Sequence, residues 1–266
     1  MADNSEQSMS PNNNVRQYEQ YFDSGTYDRR YPSPNPRVMS FLGEFVSSDS
    51  VVLDYGCGSG RYLLPLGQQV RLAIGFDICT AALNSANDRI SKPVAHRYRL
   101  IGPEMERLAE AVNRHGPVDL ALCLFGVLAH VDSPENRREL LTKLRTSLCP
   151  DRGRLIISVP NRLRRFREEQ RQFAGKDQIT YVRDTETGPL ELTYRLYDPS
   201  SLQQELEAAG FLVDFVVAES VLPESLVSRY PTLGCLDQFL SRLVPARLGY
   251  GLLAVARPVQ PETGEI

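Results

Sequence analysis

The stretch VVLDYGCGSG, residues 51–60, decides the fold of this chain. Its first three residues form a short apolar run, which is typical of a parallel strand covered on both faces. The run ends at Asp54, and in the turn that follows every second residue is glycine: Gly56, Gly58 and Gly60. Because glycine carries no side chain, the main chain can turn tightly there and a ligand can approach the amide groups closely. The stretch therefore predicts a buried strand followed by a ligand-binding loop.

The spacing of this loop disfavours two common nucleotide-binding motifs. The dinucleotide motif has a third glycine where this chain has Arg61, and the phosphate-binding loop requires Gly-Lys-Ser or Gly-Lys-Thr, which the sequence lacks. A second short strand is predicted over Leu72 to Phe76, and it ends at Asp77, 23 positions beyond Asp54. An acidic side chain at this place can accept hydrogen bonds from both hydroxyl groups of a ribose. The second strand therefore favours a nucleoside ligand.

These residues resemble the first two motifs of the class I S-adenosylmethionine-dependent methyltransferases, which are an acidic residue followed by GxGxG and an acidic residue closing the next strand. The resemblance implies S-adenosylmethionine as cofactor, with its methionine part beside the glycine loop. It also implies that Asp77 binds the ribose and that Ile78 lies against the adenine. The implied cofactor-binding residues are Asp54, Gly56, Cys57, Gly58, Gly60, Asp77, Ile78, Glu104, Leu124 and Phe125.

The residue that reads the adenine amino group is less well defined by the sequence. A third strand is predicted near Ala95 to Ile101, and the resembled family often has an acidic residue just beyond it. This chain has Glu104 there, after Gly102 and Pro103. Glu104 is therefore the candidate, and a backbone group is the alternative.

A histidine follows the predicted fourth strand, Val118 to Phe125. The segment GVLAHV, residues 126–131, leaves the carboxyl end of that strand and lines the methyl-transfer site in the resembled family. His130 is therefore the catalytic candidate for positioning a substrate or taking its proton, because imidazole titrates near neutral pH. The alternative is that His130 only caps or packs beside the next helix, which Ser133 and Pro134 begin.

The residues before the first strand are predicted to form a tail, two helices and a loop. Residues 1–14 are polar and are expected to be disordered. A helix carrying Tyr18, Tyr21 and Phe22 follows, and a second helix begins at Asn35 and Pro36 by N-cap logic. The segment FDSGTYDRRYPSPNP between them looks irregular. Its aromatic and arginine side chains either close over the cofactor or belong to a surface loop pinned by its tyrosines.

An arginine-rich helix and a hairpin are predicted after the fifth strand, Leu155 to Val159. Five arginines crowd into residues 162–171, before strand-like runs at 179–183 and 190–197 that are joined through Gly188 and Pro189. Arginine side chains suit phosphates and carboxylates, so this insertion is a candidate for substrate selection. The alternative is a solvated helix balanced by its own glutamates. The arginines are Arg162, Arg164, Arg165, Arg167 and Arg171.

The predicted fold is α/β, with a Rossmann-like, seven-stranded, mostly parallel sheet that carries helices on both faces. A helix starting at Asp198 and Pro199, a strand over 211–218 and a final strand over 251–256 complete it with an antiparallel hairpin. The predicted methyltransferase domain covers residues 15–256, including the helix-hairpin insertion at about 162–197, with tails at 1–14 and 257–266.

Composition limits the cell compartment and the partners. The net charge of −3 provides no general attraction to nucleic acid or membrane, and no apolar stretch approaches the length of a membrane span. The amino terminus is polar, so a cytoplasmic protein is expected. The five cysteines are widely spaced and lack a zinc pattern, so reduced, mostly buried thiols and no metal are expected.

The sequence leaves the methyl acceptor and the oligomeric state open. The first hypothesis is methyl transfer to an oxygen, nitrogen or carbon atom of a small molecule. The second is methylation of tRNA, because residues 30–42 and 193–211 are similar to segments of the wobble-uridine tRNA methyltransferases. The third is a cofactor-binding protein without turnover.

Overall fold

Nine strands form a central sheet and a separate hairpin. The computed structural model describes residues 11–173, 176–185 and 188–259. The strands are β1 (Val51–Tyr55), β2 (Leu72–Phe76), β3 (Tyr98–Ile101), β4 (Leu120–Cys123), β5 (Arg154–Pro160), β6 (Gln178–Thr185), β7 (Gly188–Arg195), β8 (Phe211–Ser220) and β9 (Gly251–Pro258).

The central sheet has seven strands in the order β3-β2-β1-β4-β5-β9-β8. The first five run parallel, and β9 pairs antiparallel with both β5 and β8. β6 and β7 form the antiparallel hairpin, which follows the fifth strand as predicted. The Rossmann-like, mostly parallel sheet predicted from the sequence is confirmed. The strand order reverses direction at β1, and the crevice at this switch point is where such sheets place their ligands.

Eleven α-helices among the described residues surround the sheet and cover its ends. They are α1 (Pro11–Asp23), α2 (Thr26–Arg30), α3 (Pro36–Leu42), α4 (Leu63–Gly67), α5 (Thr80–Arg89), α6 (Glu106–His115), α7 (Pro134–Ser147), α8 (Arg167–Gln172), α9 (Pro199–Ala208), α10 (Glu224–Val227) and α11 (Pro231–Leu243). Short 3-10 helices lie at Lys92–Arg97, Leu128–His130 and Ala246–Leu248.

Side-chain caps start three of these helices where the sequence places them. The Asn35 side chain accepts the amide of Arg37 at 2.9 Å at the start of α3, and Ser133 accepts the amide of Asn136 at 3.0 Å at the start of α7. Asp198 forms a capping box with Ser201 at the start of α9. Each cap satisfies an amide that the helix leaves unpaired, and proline follows each capping residue.

The core lies on both faces of the sheet. All five residues of β1 and all five of β2 are buried, as expected for parallel strands covered on both sides. One face packs against α7 and α9 through leucines such as Leu141 and Leu206, and the other packs against α3 and α4 through Leu42 and Leu63. The glycine loop after β1 is therefore attached to a rigid, apolar foundation.

Several boundaries differ from the prediction. α1 begins at Pro11, so residues 11–14 of the predicted tail are helical, while residues 1–10 and 260–266 lie outside the described residues. β1 continues past Asp54 to Tyr55, and β9 continues to Pro258. Gly188 and Pro189 start β7 and pair with β6 instead of lying in the turn. Backbone pairing to neighbouring strands extends β1, β7 and β9 beyond their apolar residues.

Several helices lie where the sequence analysis predicts none, and α2 and α6 are examples. α2 lies inside the segment predicted to be irregular, and α6 precedes β4. α6 buries only Leu108 and Ala111, so its apolar face is too narrow to stand out in the sequence. The predicted fourth strand is also shorter than expected, because β4 covers only Leu120–Cys123.

All five cysteines are free; four are buried and Cys235 is exposed. The expectation of reduced, mostly buried thiols agrees with this arrangement. Within the described ranges, the helices are too short or too polar to cross a bilayer.

Candidate active site

The glycine loop is held to the sheet by its own backbone. The amides of Gly56 and Cys57 donate to the carbonyl oxygen of Phe76 at 2.8 and 3.0 Å, which ties the loop to the end of β2. Gly56 has a φ of 77°, and a Cβ atom at this position would overlap the side chain of Val127. Position 56 therefore needs glycine for its backbone angle and for the close approach of the segment after β4.

Asp77 lies at the end of β2 and faces the loop. Its carboxylate accepts the amide of Gly58 at 2.8 Å and the amide of Cys79 at 2.9 Å. Burial raises the pKa of the Asp77 carboxyl to about 6, and the two amides oppose this rise. Each carboxylate oxygen has a further lone pair, so Asp77 can also accept hydrogen bonds from a ligand.

Asp54 lies in β1, just before the loop. Burial raises the pKa of its carboxyl to about 7, the negative charge of Asp77 acts in the same direction, and a hydrogen bond from the backbone of Leu63 opposes the rise. The Asp54 side chain is 2% exposed. Asp54 therefore connects β1 to the start of α4 and does not line the cavity above the loop.

A cavity of about 190 Å³ opens above the loop. The glycine loop, the end of β2 and the segment after β4 form its floor, and α1, α2 and the β6–β7 hairpin cover it. We call it the glycine-loop cavity. Its lining residues are Tyr18, Tyr21, Phe22, Tyr27, Tyr31, Tyr55, Gly56, Gly58, Phe76, Asp77, Ile78, Cys79, Leu124, Phe125, Val127, His130, Val131, Leu140, Arg183 and Tyr194.

The structure brings most of the predicted site residues to this cavity. The predicted residues that line it are Gly56, Gly58, Asp77, Ile78, Leu124, Phe125 and His130. The side chain of Cys57 is buried, and Gly60, with a φ of 84°, completes the turn. Glu104 is not among the lining residues, and its carboxylate pairs with Arg107 at 3.0 Å on the surface. The structure thus gives Glu104 a partner other than a ligand.

His130 lies in a cluster of aromatic rings. Its Nε2 is 2.6 Å from the hydroxyl of Tyr18, and its ring centroid is 3.8 Å from that of Tyr194. Burial lowers the pKa of the imidazole to about 3, while the backbone of Thr193 acts in the opposite direction. The neighbouring charges of Arg183 and Arg165 lower this pKa further. His130 is therefore neutral at physiological pH and acts as a hydrogen-bonding group.

We expect the imidazole resonances of His130 to stay constant between pH 5 and pH 8, because its pKa of about 3 lies well below this range. An NMR titration measures this directly, and the chain has only 3 histidines to assign. The variant His130→Gln identifies the signal. A transition of this signal near pH 6.5 would contradict the burial that the structure shows.

Sequence reasoning found only part of the walls of the cavity. Tyr27 and Tyr31 come from the segment before α3, so the alternative in which its aromatic residues close over the site describes the structure better than a surface loop. Arg183 and Tyr194 come from the hairpin. The alternation of side chains along a strand predicts that Arg183 and Tyr194 lie on the same face of the hairpin. It does not predict that this face covers the glycine loop.

The arginine run is divided between surface and site. Arg162 pairs with Asp177 at 3.5 Å, and Arg164 donates to the carbonyl oxygen of Leu248 at 2.6 Å. These two agree with the solvated alternative. Arg165 differs, because its guanidinium stacks on Phe166 and Tyr250 and lines a second cavity.

Comparison with known protein families agrees with the glycine loop and the sheet order. The methyltransferase domain family matches residues 27–214, which is more than half of the chain. The chain belongs to this methyltransferase family. The family resemblance and the enzyme class predicted from the loop are thereby confirmed.

Solved structures with the same fold include other methyltransferases. An S-adenosylmethionine-dependent methyltransferase from Clostridium acetobutylicum matches with a TM-score of 0.61 and 11% identity, covering 94% of this methyltransferase and 99% of the other chain. The magnesium protoporphyrin IX methyltransferase of Synechocystis matches with a TM-score of 0.51 and 19% identity, covering 91% and 84%. At these identities the likeness establishes the fold.

A curated relative shares a shorter stretch. The tRNA/tmRNA (uracil-C(5))-methyltransferase of Pseudomonas putida is 26% identical over 117 residues, which cover 41% of this methyltransferase and 32% of the relative. The methyltransferase described here therefore spans about a third of the length of that relative.

Proposed function

We propose that this methyltransferase transfers the methyl group of S-adenosylmethionine to a nucleophilic atom of a small molecule. One observation carries the proposal: the glycine loop and the Asp77 carboxylate line the same enclosed cavity. An adenosyl group needs a ribose acceptor and a closely approached backbone, and both lie at this switch point of the sheet.

The cofactor is held by backbone and carboxylate together. Asp77 accepts hydrogen bonds from the ribose hydroxyls, and Ile78, which is 46% exposed, covers one face of the adenine. The methionine part lies along Gly56, Cys57 and Gly58, towards Leu124 and Phe125.

The chain contributes alignment and exclusion of water. Bound S-adenosylmethionine supplies a methyl group that is already electrophilic, so an oriented nucleophile needs little further activation. Tyr18, Tyr21 and Tyr27 cover the cavity and keep water from the reacting groups. Neutral His130 orients the acceptor by hydrogen bonding; with a pKa of about 3, its imidazole is too weak a base to hold a proton from the acceptor at neutral pH.

Two observations support a small molecule as the acceptor. Helices α1 and α2 and the hairpin enclose the site, which suits a ligand that is mostly buried. Among the structures with this fold, one acts on magnesium protoporphyrin IX.

The five free cysteines suit a reducing compartment, and we place the enzyme in the cytoplasm.

Methylation of tRNA is the second candidate, and the similarity to the tRNA/tmRNA relative favours it. That similarity covers less than half of the chain. Arg162, Arg164 and Arg167 are engaged by acceptors of the protein itself, which leaves fewer cations for phosphate groups.

Labelled methyl transfer tests the proposal and separates the candidates. The protein is incubated with S-adenosylmethionine carrying a labelled methyl group and a cell extract, and RNA is then separated from small metabolites. We expect label in the small-molecule fraction. Label confined to RNA would establish the second candidate, and cofactor binding without labelling of any fraction would indicate a protein without turnover. The variant Asp77→Ala is the control for background labelling.

Cofactor affinity is expected to depend on pH through Asp77. Burial raises the pKa of this carboxyl to about 6. The ionised carboxylate can accept hydrogen bonds from both ribose hydroxyls, whereas protonation turns one of its two acceptor oxygens into a donor. The dissociation constant of S-adenosylhomocysteine should therefore rise about tenfold for each pH unit below 6 and stay constant above pH 7. Calorimetry between pH 5 and pH 8 measures it. A flat profile in the wild type, or the same slope in Asp77→Asn, would contradict the assignment.

A further inference from the structure

A second cavity of about 160 Å³ adjoins the glycine-loop cavity. The two share Tyr31, Phe125, Arg183 and Tyr194. The backbone of Gly126 lies at their boundary, because a Cβ atom there would be 3.4 Å from the ring of Tyr194. A molecule in the second cavity therefore lies next to the segment after β4, where the methyl group is expected. We call the second cavity the arginine cavity.

Two arginines of the arginine cavity lack a carboxylate partner among the described residues. Arg165 stacks on Phe166 and Tyr250, with its Cζ 4.6 and 4.8 Å from the ring centroids, and its buried Nε has no hydrogen-bond partner in the described part of the chain. Arg183 donates to the hydroxyls of Tyr21 and Tyr181 at 3.2 and 3.0 Å. Aromatic contacts hold both guanidinium groups in place without neutralising them.

The acidic residues of the arginine cavity do not balance these charges. Glu224 is committed to the protein, since it pairs with Arg61 at 3.0 Å and accepts the Asn35 side chain at 2.8 Å. Burial raises the pKa of the Glu219 carboxyl and the charge of Glu224 acts in the same direction, while a hydrogen bond from Ser158 and the charges of Arg61 and Arg165 oppose the rise. Arg30, Arg165 and Arg183 line the cavity and Glu224 is already paired with Arg61, so the cavity carries a net positive charge whether Glu219 is ionised or not.

We propose that the arginine cavity binds an oxyanion group of the methyl acceptor through Arg165 and Arg183, so that the acceptor is a small anionic molecule. This inference rests on the proposed function. The group is a carboxylate or a phosphate, because a guanidinium fork matches both. The rings of Tyr31, Phe166 and Tyr194 provide the apolar wall for the rest of the acceptor. Anchored at its charged end, the acceptor presents its nucleophile past Gly126 to the glycine-loop cavity.

Binding of small probes to the protein saturated with S-adenosylhomocysteine tests this inference. The probes are benzoate, phenyl phosphate and neutral benzamide, and calorimetry measures their dissociation constants. We expect one or both anions to bind at least about tenfold more tightly than benzamide, and the preferred anion identifies the group. Benzamide that binds as tightly as the anions, or no binding of either anion, overturns the inference.

Matched variants locate the binding. Arg165→Gln and Arg183→Gln should each weaken the preferred anion about 10- to 100-fold, as expected for lost hydrogen bonds to a charged group. Arg171→Gln is the control, because Arg171 belongs to the same run but is exposed on α8 and outside both cavities. Unchanged anion affinity in Arg165→Gln overturns the inference.

The affinity for S-adenosylhomocysteine distinguishes a failure of this inference from a failure of the proposed function. Arg165 lines only the arginine cavity, so Arg165→Gln should bind S-adenosylhomocysteine like the wild type, which also shows that the variant folds. A wild type that binds S-adenosylhomocysteine but no anion contradicts the inference alone. A wild type that binds no S-adenosylhomocysteine contradicts the proposed function.

Discussion

Replacing Asp77 by alanine is expected to weaken S-adenosylhomocysteine binding by about 100-fold or more, because two hydrogen bonds from ribose hydroxyls to a charged acceptor are lost. The same change leaves the amides of Gly58 and Cys79 without their acceptor, which loosens the loop that carries the methionine part. Calorimetric titration of the purified variant measures the loss.

Two further variants define what the Asp77 result means. Asp77→Asn retains the size of the side chain and one carbonyl acceptor, so its loss should lie between those of wild type and Asp77→Ala. Glu104→Ala removes the acidic residue that the sequence suggests for reading the adenine amino group. Because Glu104 pairs with Arg107 outside the cavity, the affinity of this variant for S-adenosylhomocysteine should change less than about twofold. Equal losses in Asp77→Ala and Glu104→Ala would refute the assignment of the ribose to Asp77.

Replacing Gly56 by alanine is expected to lower the free energy of unfolding by about 2–5 kcal/mol, from about 1–2 kcal/mol for a left-handed backbone and about 1–3 kcal/mol for overpacking. The φ of 77° disfavours any side chain, and the added Cβ overlaps Val127. Displacing Val127 also shifts the segment that ends in His130, so cofactor affinity should fall as well. Thermal unfolding and calorimetry measure the two effects.

Gly116→Ala separates the two causes. Gly116 has a φ of 85°, close to that of Gly56, but a Cβ atom there would meet nothing within 4 Å. This variant should lose only about 1–2 kcal/mol, with unchanged cofactor affinity, because only the backbone angle is disfavoured. If Gly56→Ala and Gly116→Ala lose the same amount of unfolding free energy, the close approach of Val127 to the loop does not constrain the site.

The parts of the fold that depend on local pattern were predictable from the sequence. β2 has the predicted bounds, and the caps at Asn35, Ser133 and Asp198 are where the sequence places them. Each of these signals lies within a few residues of the chain. Apolar runs and cap residues act locally, so they can be read without knowing the tertiary structure.

The region before β9 shows why other parts could not be predicted. In α11 the polar Asp237 is fully buried, and its side chain accepts the amides of Val221 and Leu222, each at 2.8 Å. Phe239, on the same helix, is 62% exposed. The usual link between apolar character and burial is therefore reversed there. Only the tertiary partners of Asp237 explain why the helix packs on that face.

The floor of the candidate site was predictable from the sequence, but the part of its walls that the hairpin supplies was not. Motif spacing identifies Gly56, Gly58 and Asp77, because strand ends and turns fix them with respect to the sheet. Tyr194 and Arg183 reach the same cavity from a hairpin far along the chain, and no local pattern encodes that contact. Asp54 belongs to the motif yet is buried and hydrogen-bonded to the backbone of Leu63, so a motif residue need not line the cavity.

Titration of the wild-type protein with S-adenosylmethionine tests the central claim most directly, which is that the glycine loop and Asp77 together bind an adenosyl sulfonium. We expect measurable heat on binding, together with a rise in thermal stability of about 2.7 kcal/mol at a ligand concentration 100 times the dissociation constant. Neither heat nor thermal stabilisation at millimolar S-adenosylmethionine would contradict the claim.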